Sequence, residues 1–256
     1  MTLMNGDCLE LMKDIPDKSI DLILCDLPYG TTALKWDKVL DKNKLWEQYK
    51  RIIKDDGIIC LFGAQPFTSM LIASNPDMYR YSWLWKKESA TGHLNSKYRP
   101  LQITEDIAVF SYAKVGSLAK NPITYHPPGL VEVNIVKKNN PNSTWRKNKG
   151  YESMNNVLNS DKEFIQKYTG YPNNILEFSR DKNAVHPTQK PVALLEYLIK
   201  TYTNEGDTVL DNCMGSGSTG VACVNTNREF IGMELDEKYF NIAKERLEGR
   251  YDTITR

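Results

Sequence analysis

Short, nearly unbroken apolar runs alternate along this chain with stretches whose apolar residues recur every three or four positions. Ile20–Cys25 (IDLILC) reads as a buried strand that stops at Asp26. Gly57–Phe62 (GIICLF) is a second, preceded by a helical pattern over Lys44–Ile53. Tyr81–Trp85 (YSWLW) and Ile107–Tyr112 (IAVFSY) are strand-like and joined by a polar, basic connection. Thr208–Leu210 and Glu229–Glu234 (EFIGME) complete the set, each followed by a helix-like stretch. Apolar runs without polar alternation suit strands covered on both faces, and strands separated by helices build a mostly parallel sheet. The expected fold class is therefore α/β, with helices on both faces.

From about Lys114 to Lys182 the pattern changes. Asn, Lys, Pro and Gly dominate there, while Trp145, Tyr151, Phe164, Ile165 and Phe178 give the segment something to pack. It reads as an inserted, weakly cored region, not as a disordered linker. The expected organisation is one α/β domain assembled from 1–113 and 183–256, interrupted by 114–182. A chain of 256 residues has room for it. No internal repeat is visible.

Composition narrows the setting. With 33 Lys+Arg against 32 Asp+Glu the net charge is +1, so any polyanion must be gripped by a local basic patch. The five cysteines, Cys8, Cys25, Cys60, Cys213 and Cys223, form no C-x-x-C pair. That argues against a metal centre or a disulfide framework and suits a reducing cytoplasm. The opening residues MTLMNGDCLELMKDIP carry acids early and make no signal peptide, and no later stretch is long enough to span a membrane. A cytoplasmic location, with no membrane partner, is expected.

Three segments carry candidate chemistry. Asp26-Leu27-Pro28-Tyr29-Gly30 follows a buried strand directly. Ligands of open α/β sheets sit beyond the carboxyl ends of the strands, so a carboxylate, a stiffened backbone and an aromatic ring are offered at that edge. An ordinary strand-ending turn has the same composition. Asp211-Asn212-Cys213-Met214-Gly215-Ser216-Gly217-Ser218-Thr219-Gly220 follows the strand TVL. Its small residues let backbone approach a ligand closely ahead of a helix N-terminus. Glu234 ends the next strand ~17 residues after Gly217, near the distance at which an acid takes ribose hydroxyls. This pattern fits a nicotinamide dehydrogenase as well as a methyltransferase, and also a tight turn that binds nothing.

The third segment, His186-Pro187-Thr188-Gln189-Lys190-Pro191, leads into VALLEYLIKTY. Pro191 suits a first helical turn, and Leu194, Leu195, Leu198, Ile199 and Tyr202 form an apolar face. The preceding loop either offers Thr188, Lys190 and free N–H groups to a ligand or is simply a capped helix start. Two basic clusters, Lys86, Lys87, Lys97 and Arg99, and Lys137, Lys138, Arg146, Lys147 and Lys149, are phosphate contacts or solvated surface.

Taken in order, NGD, DLPYG, HPTQKP before a helix, DNCMGSGSTG and GMELDEKYFNIAKERL resemble the amino-methyltransferases of DNA. More closely, they resemble the group whose target-amine segment precedes the cofactor glycine loop. The resemblance runs from Leu3 to about Leu247, with the insert matching least. It decides against the dehydrogenase, which leaves DLPYG and HPTQKP unexplained. It implies a Rossmann-like methyltransferase fold in circularly permuted motif order, with a seven-stranded, mostly parallel sheet containing one antiparallel strand.

The resemblance also implies roles. Asp26, a carbonyl at Leu27 or Pro28, and Tyr29 would form the catalytic target-amine site. The cofactor, S-adenosylmethionine, would lie against Asp7 and Cys8 at its adenine and against Glu234, with Asp236 as the alternative, at its ribose. Asp211, Gly215 and Gly217 would hold its methionine end, with Thr188 and Lys190 closing over it. The loop with Lys86, Lys87, Lys97 and Arg99, and the insert with Lys137, Lys138, Arg146 and Lys147, would contact double-stranded DNA. Leu27 stands where the family usually has proline, and Asn212-Cys213 where it commonly has Pro-Phe. An Asp-first motif implies adenine N6 as the target. Cytosine N4, or a binding module without turnover, are the alternatives. A homodimer and a cognate restriction endonuclease are compatible partners. The recognition sequence follows from no transferable code.

Overall fold

All six apolar runs become strands. The computed structural model describes residues 1–30, 39–116, 118–138, 163–181 and 189–254. In chain order the strands are β1 (Thr2–Asn5), β2 (Ile20–Cys25), β3 (Ile53–Gly63), β4 (Tyr79–Thr91), β5 (Gln102–Phe110), β6 (Val131–Lys138), β7 (Glu163–Thr169), β8 (Ile175–Glu177), β9 (Thr208–Asp211) and β10 (Glu229–Glu234). Among the described residues the main sheet has eight of them, ordered β1-β10-β9-β2-β3-β5-β4-β8. Only β5 runs against its neighbours. The seven strands implied by the resemblance are present, and three-residue β8 extends the β4 edge.

Successive side chains of a strand point to opposite faces. Leu22 and Leu24 of β2, Ile58, Cys60 and Phe62 of β3, and Ile107 and Val109 of β5 enter one core. Ile23, Cys25, Ile59, Leu61, Ala108 and Phe110 enter the other. Both faces are therefore buried, which explains why these strands read as unbroken apolar runs.

Helices cover each face. On the Ile23 side lie α1 (Cys8–Leu11), α2 (Lys42–Ile52) and α3 (Phe67–Ser74); on the Leu22 side lie α4 (Val192–Tyr202), α5 (Ser218–Asn225) and α6 (Glu237–Ile254). α2 begins where Asp41 accepts the N–H groups of Asn43 and Lys44 at 2.9 and 3.3 Å, the usual role of an N-cap carboxylate. It buries Leu45, Trp46, Tyr49 and Ile52 at helical spacing. α4 buries the five residues its periodicity predicts, Leu194, Leu195, Leu198, Ile199 and Tyr202, directly after Pro191.

The chain divides into two compact units, Met1–His126 with Asn173–Arg256, and Pro127–Pro172. The second is narrower at both ends than composition suggests. His126 donates its N–H to the Thr201 carbonyl at 2.8 Å, and Asn173–Asp181 contributes β8 with buried Leu176, so both flanks belong to the larger unit. Asn-, Lys- and Pro-rich sequence hides such backbone pairing. Within Pro127–Pro172, β6 and β7 form an antiparallel pair from Val131↔Thr169 to Lys138↔Glu163. Phe164 and Ile165, expected to pack, remain exposed on β7, while Phe178 packs in the core of the larger unit. Trp145 and Tyr151 lie outside the described residues. Among the described residues no helix is long and apolar enough to cross a membrane.

Candidate active site

β1, β10, β9 and β2 are neighbours and parallel, so their carboxyl ends share one sheet edge. That register alone sets Asp7, Glu234, Asp211 and Asp26 along the same edge. The chain runs outward from β9 to β10 on one side and from β2 to β3 on the other. Such a switch point opens a crevice for ligands. A cavity of about 630 Å³ occupies it, lined by residues of all four strand ends.

At the β9–β10 end, the turn is built around two carboxylates. Asp211 accepts the Thr219 hydroxyl at 2.6 Å and the Cys213 N–H at 3.1 Å, and Glu234 accepts the N–H groups of Gly215 at 2.9 Å and Asp236 at 2.8 Å. Burial pushes Asp211 up to about 6, against the pull of its hydrogen bonds, and it raises Glu234 as well. Gly215, at φ +52, has nothing within 4 Å of where a Cβ would stand, so it leaves cavity space and a bent backbone together. Arg246 of α6 donates to the Ser216 carbonyl and pins the turn from outside. Asp7 caps α1 by accepting the Leu9 N–H at 2.8 Å, and Asp7 and Cys8 both line the cavity.

The β2 end carries a chain of alternating charge. Asp26 Oδ1 accepts the Tyr29 hydroxyl at 2.6 Å, and Oδ2 accepts Lys190 Nζ at 2.6 Å. Lys190 also lies 3.2 Å from Glu105 Oε2, and Lys87 pairs with Glu105 Oε1. Burial alone would lower the Lys190 ammonium, but Asp26 and Glu105 override it and hold Lys190 above its ordinary range. Burial would likewise raise Glu105, and the Lys190 and Lys87 ammoniums hold it below the usual carboxylate range. The Tyr29 phenol is pushed up by burial and then by the Asp26 charge, so it stays a donor.

Several placements differ from the sequence expectation. Lys190 reaches Asp26, not the glycine turn. Gly217 is absent from the cavity lining: a Cβ there would stand 3.0 Å from Ala243 Cβ, so this glycine lets α6 approach. Lys87 is buried against Glu105 inside the cavity and offers nothing to a surface phosphate. Lys86 is exposed and pairs with Glu177 at 2.9 Å. Lys97, Arg99, Lys137 and Lys138 are exposed, with Lys138 3.1 Å from Glu163. Thr188, Arg146 and Lys147 lie outside the described residues.

The two family departures find local explanations. Leu27 is buried in the α2-side core, and Asn212 accepts the buried Tyr49 hydroxyl at 2.6 Å. Sequence reasoning missed Glu105, although an acid at the mouth of the apolar run IAVF was a usable signal. It also missed Tyr239 and Leu235, which line the cavity from beyond β10.

One cavity thus joins an acid- and glycine-lined end to a carboxylate-and-aromatic end, on a sheet with a single reversed strand. That combination defines the class, an α/β methyltransferase dependent on S-adenosylmethionine. The DNA methylase family model matches residues 20–245, and the chain belongs to that family. The Type II methyltransferase M.HpaI of Haemophilus parainfluenzae is 31% identical over 268 residues, spanning 98% of this chain and 75% of its own length. The DNA adenine methyltransferase YhdJ of Escherichia coli (strain K12) is 29% identical, spanning 96% and 82%. The M1.HpyAVI–SAM complex superimposes with TM-score 0.60 at 27% identity, over 96% of this chain and 99% of that one. The cytosine-N4-specific PvuII DNA methyltransferase, 17% identical with TM-score 0.65 over 98% and 91%, shares the fold.

Proposed function

We propose that this DNA methyltransferase modifies the exocyclic N6 of adenine, on a base turned out of the duplex. The observation that carries this is Asp26, held at the end of β2 in the same cavity as Asp211 and Glu234. The N6 lone pair is delocalised into the purine ring, which makes the amine a poor nucleophile. Asp26 would accept one N–H and the carbonyl of Leu27 or Pro28 the other, drawing the nitrogen toward tetrahedral geometry. Both acceptors gain strength as positive charge develops on nitrogen, which is differential stabilisation of the transition state. Direct attack needs no covalent enzyme intermediate.

The residues at the other end fit the cofactor. Buried Asp211 is poised to accept a cationic amino group, and the Gly215 turn leaves space for the methionine end. Glu234 would take the ribose hydroxyls, and Asp7 and Cys8 would border the adenine. Bound there, S-adenosylmethionine supplies a methyl group made electrophilic by its sulfonium. Adenine is favoured over cytosine by the Asp-first motif and by the name of the 29%-identical relative YhdJ.

DNA contact falls to Lys97 and Arg99, beside the exposed Leu94 and Tyr98, and to Lys137 and Lys138 of the Pro127–Pro172 unit, which would read the target sequence. A cognate restriction endonuclease and a homodimer are further partners of this reading, checked by gene neighbourhood and by sedimentation. The deciding experiment incubates the protein with tritiated S-adenosylmethionine and mixed-sequence unmethylated DNA, followed by nucleoside analysis. Label in N6-methyldeoxyadenosine is expected, and label in N4-methyldeoxycytidine would overturn the choice of base. Asp26→Ala should abolish transfer and keep cofactor binding; retained transfer would sink the target site.

A further inference from the structure

The Asp26 carboxylate is engaged before any base arrives. Tyr29 holds Oδ1, and the Lys190 ammonium sits on Oδ2 at 2.6 Å, where an incoming amine N–H would donate. A cation left there would oppose the positive charge that grows on the attacking nitrogen. At ~4 Å and an effective dielectric near 20, repulsion of about half a unit of developing charge slows the reaction on the order of 30-fold. Transfer is therefore faster with Lys190 away from Asp26.

The structure also holds a place for it to go. Glu105 Oε2 is buried and accepts no hydrogen bond among the described residues, yet it lies 3.2 Å from Lys190 Nζ as an ion pair without hydrogen-bond alignment. Its other oxygen is fixed by Lys87 from the neighbouring strand β4. Glu105 is thus anchored on one oxygen and open on the other. The Phe62 ring, 5.1 Å from Nζ, offers a cation-tolerant surface beside the short path between the two carboxylates.

We propose that Glu105 is a positioning residue that takes Lys190 off Asp26 when the target amine enters. Lys190 orients the carboxylate in the resting enzyme. The amine displaces it, Lys190 rotates onto Glu105 Oε2, and the open acceptor gains its hydrogen bond. No charge leaves the cavity during this exchange, which keeps the desolvated groups paired throughout. The inference rests on the amine-methyltransferase reading above.

Glu105→Gln tests it, because the amide keeps the shape but attracts Lys190 weakly. The cation then stays on Asp26. Single-turnover transfer should fall 10- to 100-fold, with cofactor and DNA dissociation constants within about twofold of the wild type. Adding Lys190→Met should then restore at least tenfold of the lost rate, since the blocking cation is gone. A purely structural role for Glu105 makes the double variant as slow as, or slower than, Glu105→Gln. That result, or a wild-type rate in Glu105→Gln, would overturn the exchange while leaving the methyltransferase reading intact. Absence of transfer by the wild-type protein would remove both.

Discussion

The hydroxyl of Tyr29 donates to Asp26 Oδ1 at 2.6 Å while its ring lies 4.8 Å from that of Phe67, tilted by 31°. One side chain therefore orients the candidate catalytic carboxylate and presents an aromatic face in the cavity. A hydrogen bond to a charged acceptor contributes about 1.5–3 kcal/mol, a factor of roughly 10 to 150 in rate if it is needed in the transition state. Tyr29→Phe should lower kcat within that range and leave cofactor affinity unchanged. Tyr29→Ala should be slower still, through loss of the ring. A Tyr29→Phe enzyme with wild-type kcat would separate the phenol from catalysis.

Glu234 holds two backbone N–H groups as well as the position assigned to the ribose. Glu234→Ala leaves both donors without their acceptor, at a cost of about 1–3 kcal/mol each. The variant should bind cofactor on the order of 100-fold more weakly by calorimetry and melt earlier. Glu234→Gln, which keeps one acceptor, should fall between. Equal affinity in Glu234→Ala and the wild type would remove Glu234 from the cofactor site.

Asp211 makes cofactor binding depend on pH. Its pKa rises from 3.8 to about 6 on burial. In the ligand-free protein its contribution to stability is present below the ordinary value and lost as pH rises through about 6. Binding has the opposite sign, because only the carboxylate attracts a cationic amino group. The dissociation constant should tighten between pH 5 and 7 and level off above. Asp211→Asn should be weak and flat across that window. Thr219→Ala, by removing a 2.6 Å hydrogen bond to the carboxylate, should shift the midpoint upward. A flat wild-type profile would refute the assignment.

Lys97 and Lys87 separate a surface cation from a buried one. If Lys97 contacts a phosphate, Lys97→Met should lower the slope of log K against log salt by about 0.9 and weaken all DNA sequences alike. Lys87→Met should leave that slope unchanged, since Lys87 is buried against Glu105. An equal change in both would contradict the geometry.

Leu198 in α4 has no exposed surface. Truncation to alanine should cost about 2–5 kcal/mol, from lost transfer energy and the cavity left behind. The urea midpoint of the larger unit should fall accordingly, with the fold retained by circular dichroism. A loss under 1 kcal/mol would mean that the core around α4 closes over the gap.

Local chemistry determined what the sequence alone makes legible. The runs IDLILC and GIICLF have to be strands covered on both faces, because neither face is polar. VALLEYLIKTY carries its buried stripe in its spacing. The segments DLPYG and DNCMGSGSTG place Asp26 just past one strand and Asp211 at the last position of another, which in a parallel sheet is one common edge. Tertiary structure decided what depends on residues distant in the chain. Gly217 serves the packing of Ala243 and Leu247 because α6 crosses it, a contact no spacing reveals. Lys190 and Glu105 are 85 positions apart, and β5 had to be inserted antiparallel beside β3 before Glu105 could reach Lys190. Side-chain charge is written in the sequence; which charges share a cavity is set by the strand order, since electrostatic pairing acts through space and not along the chain.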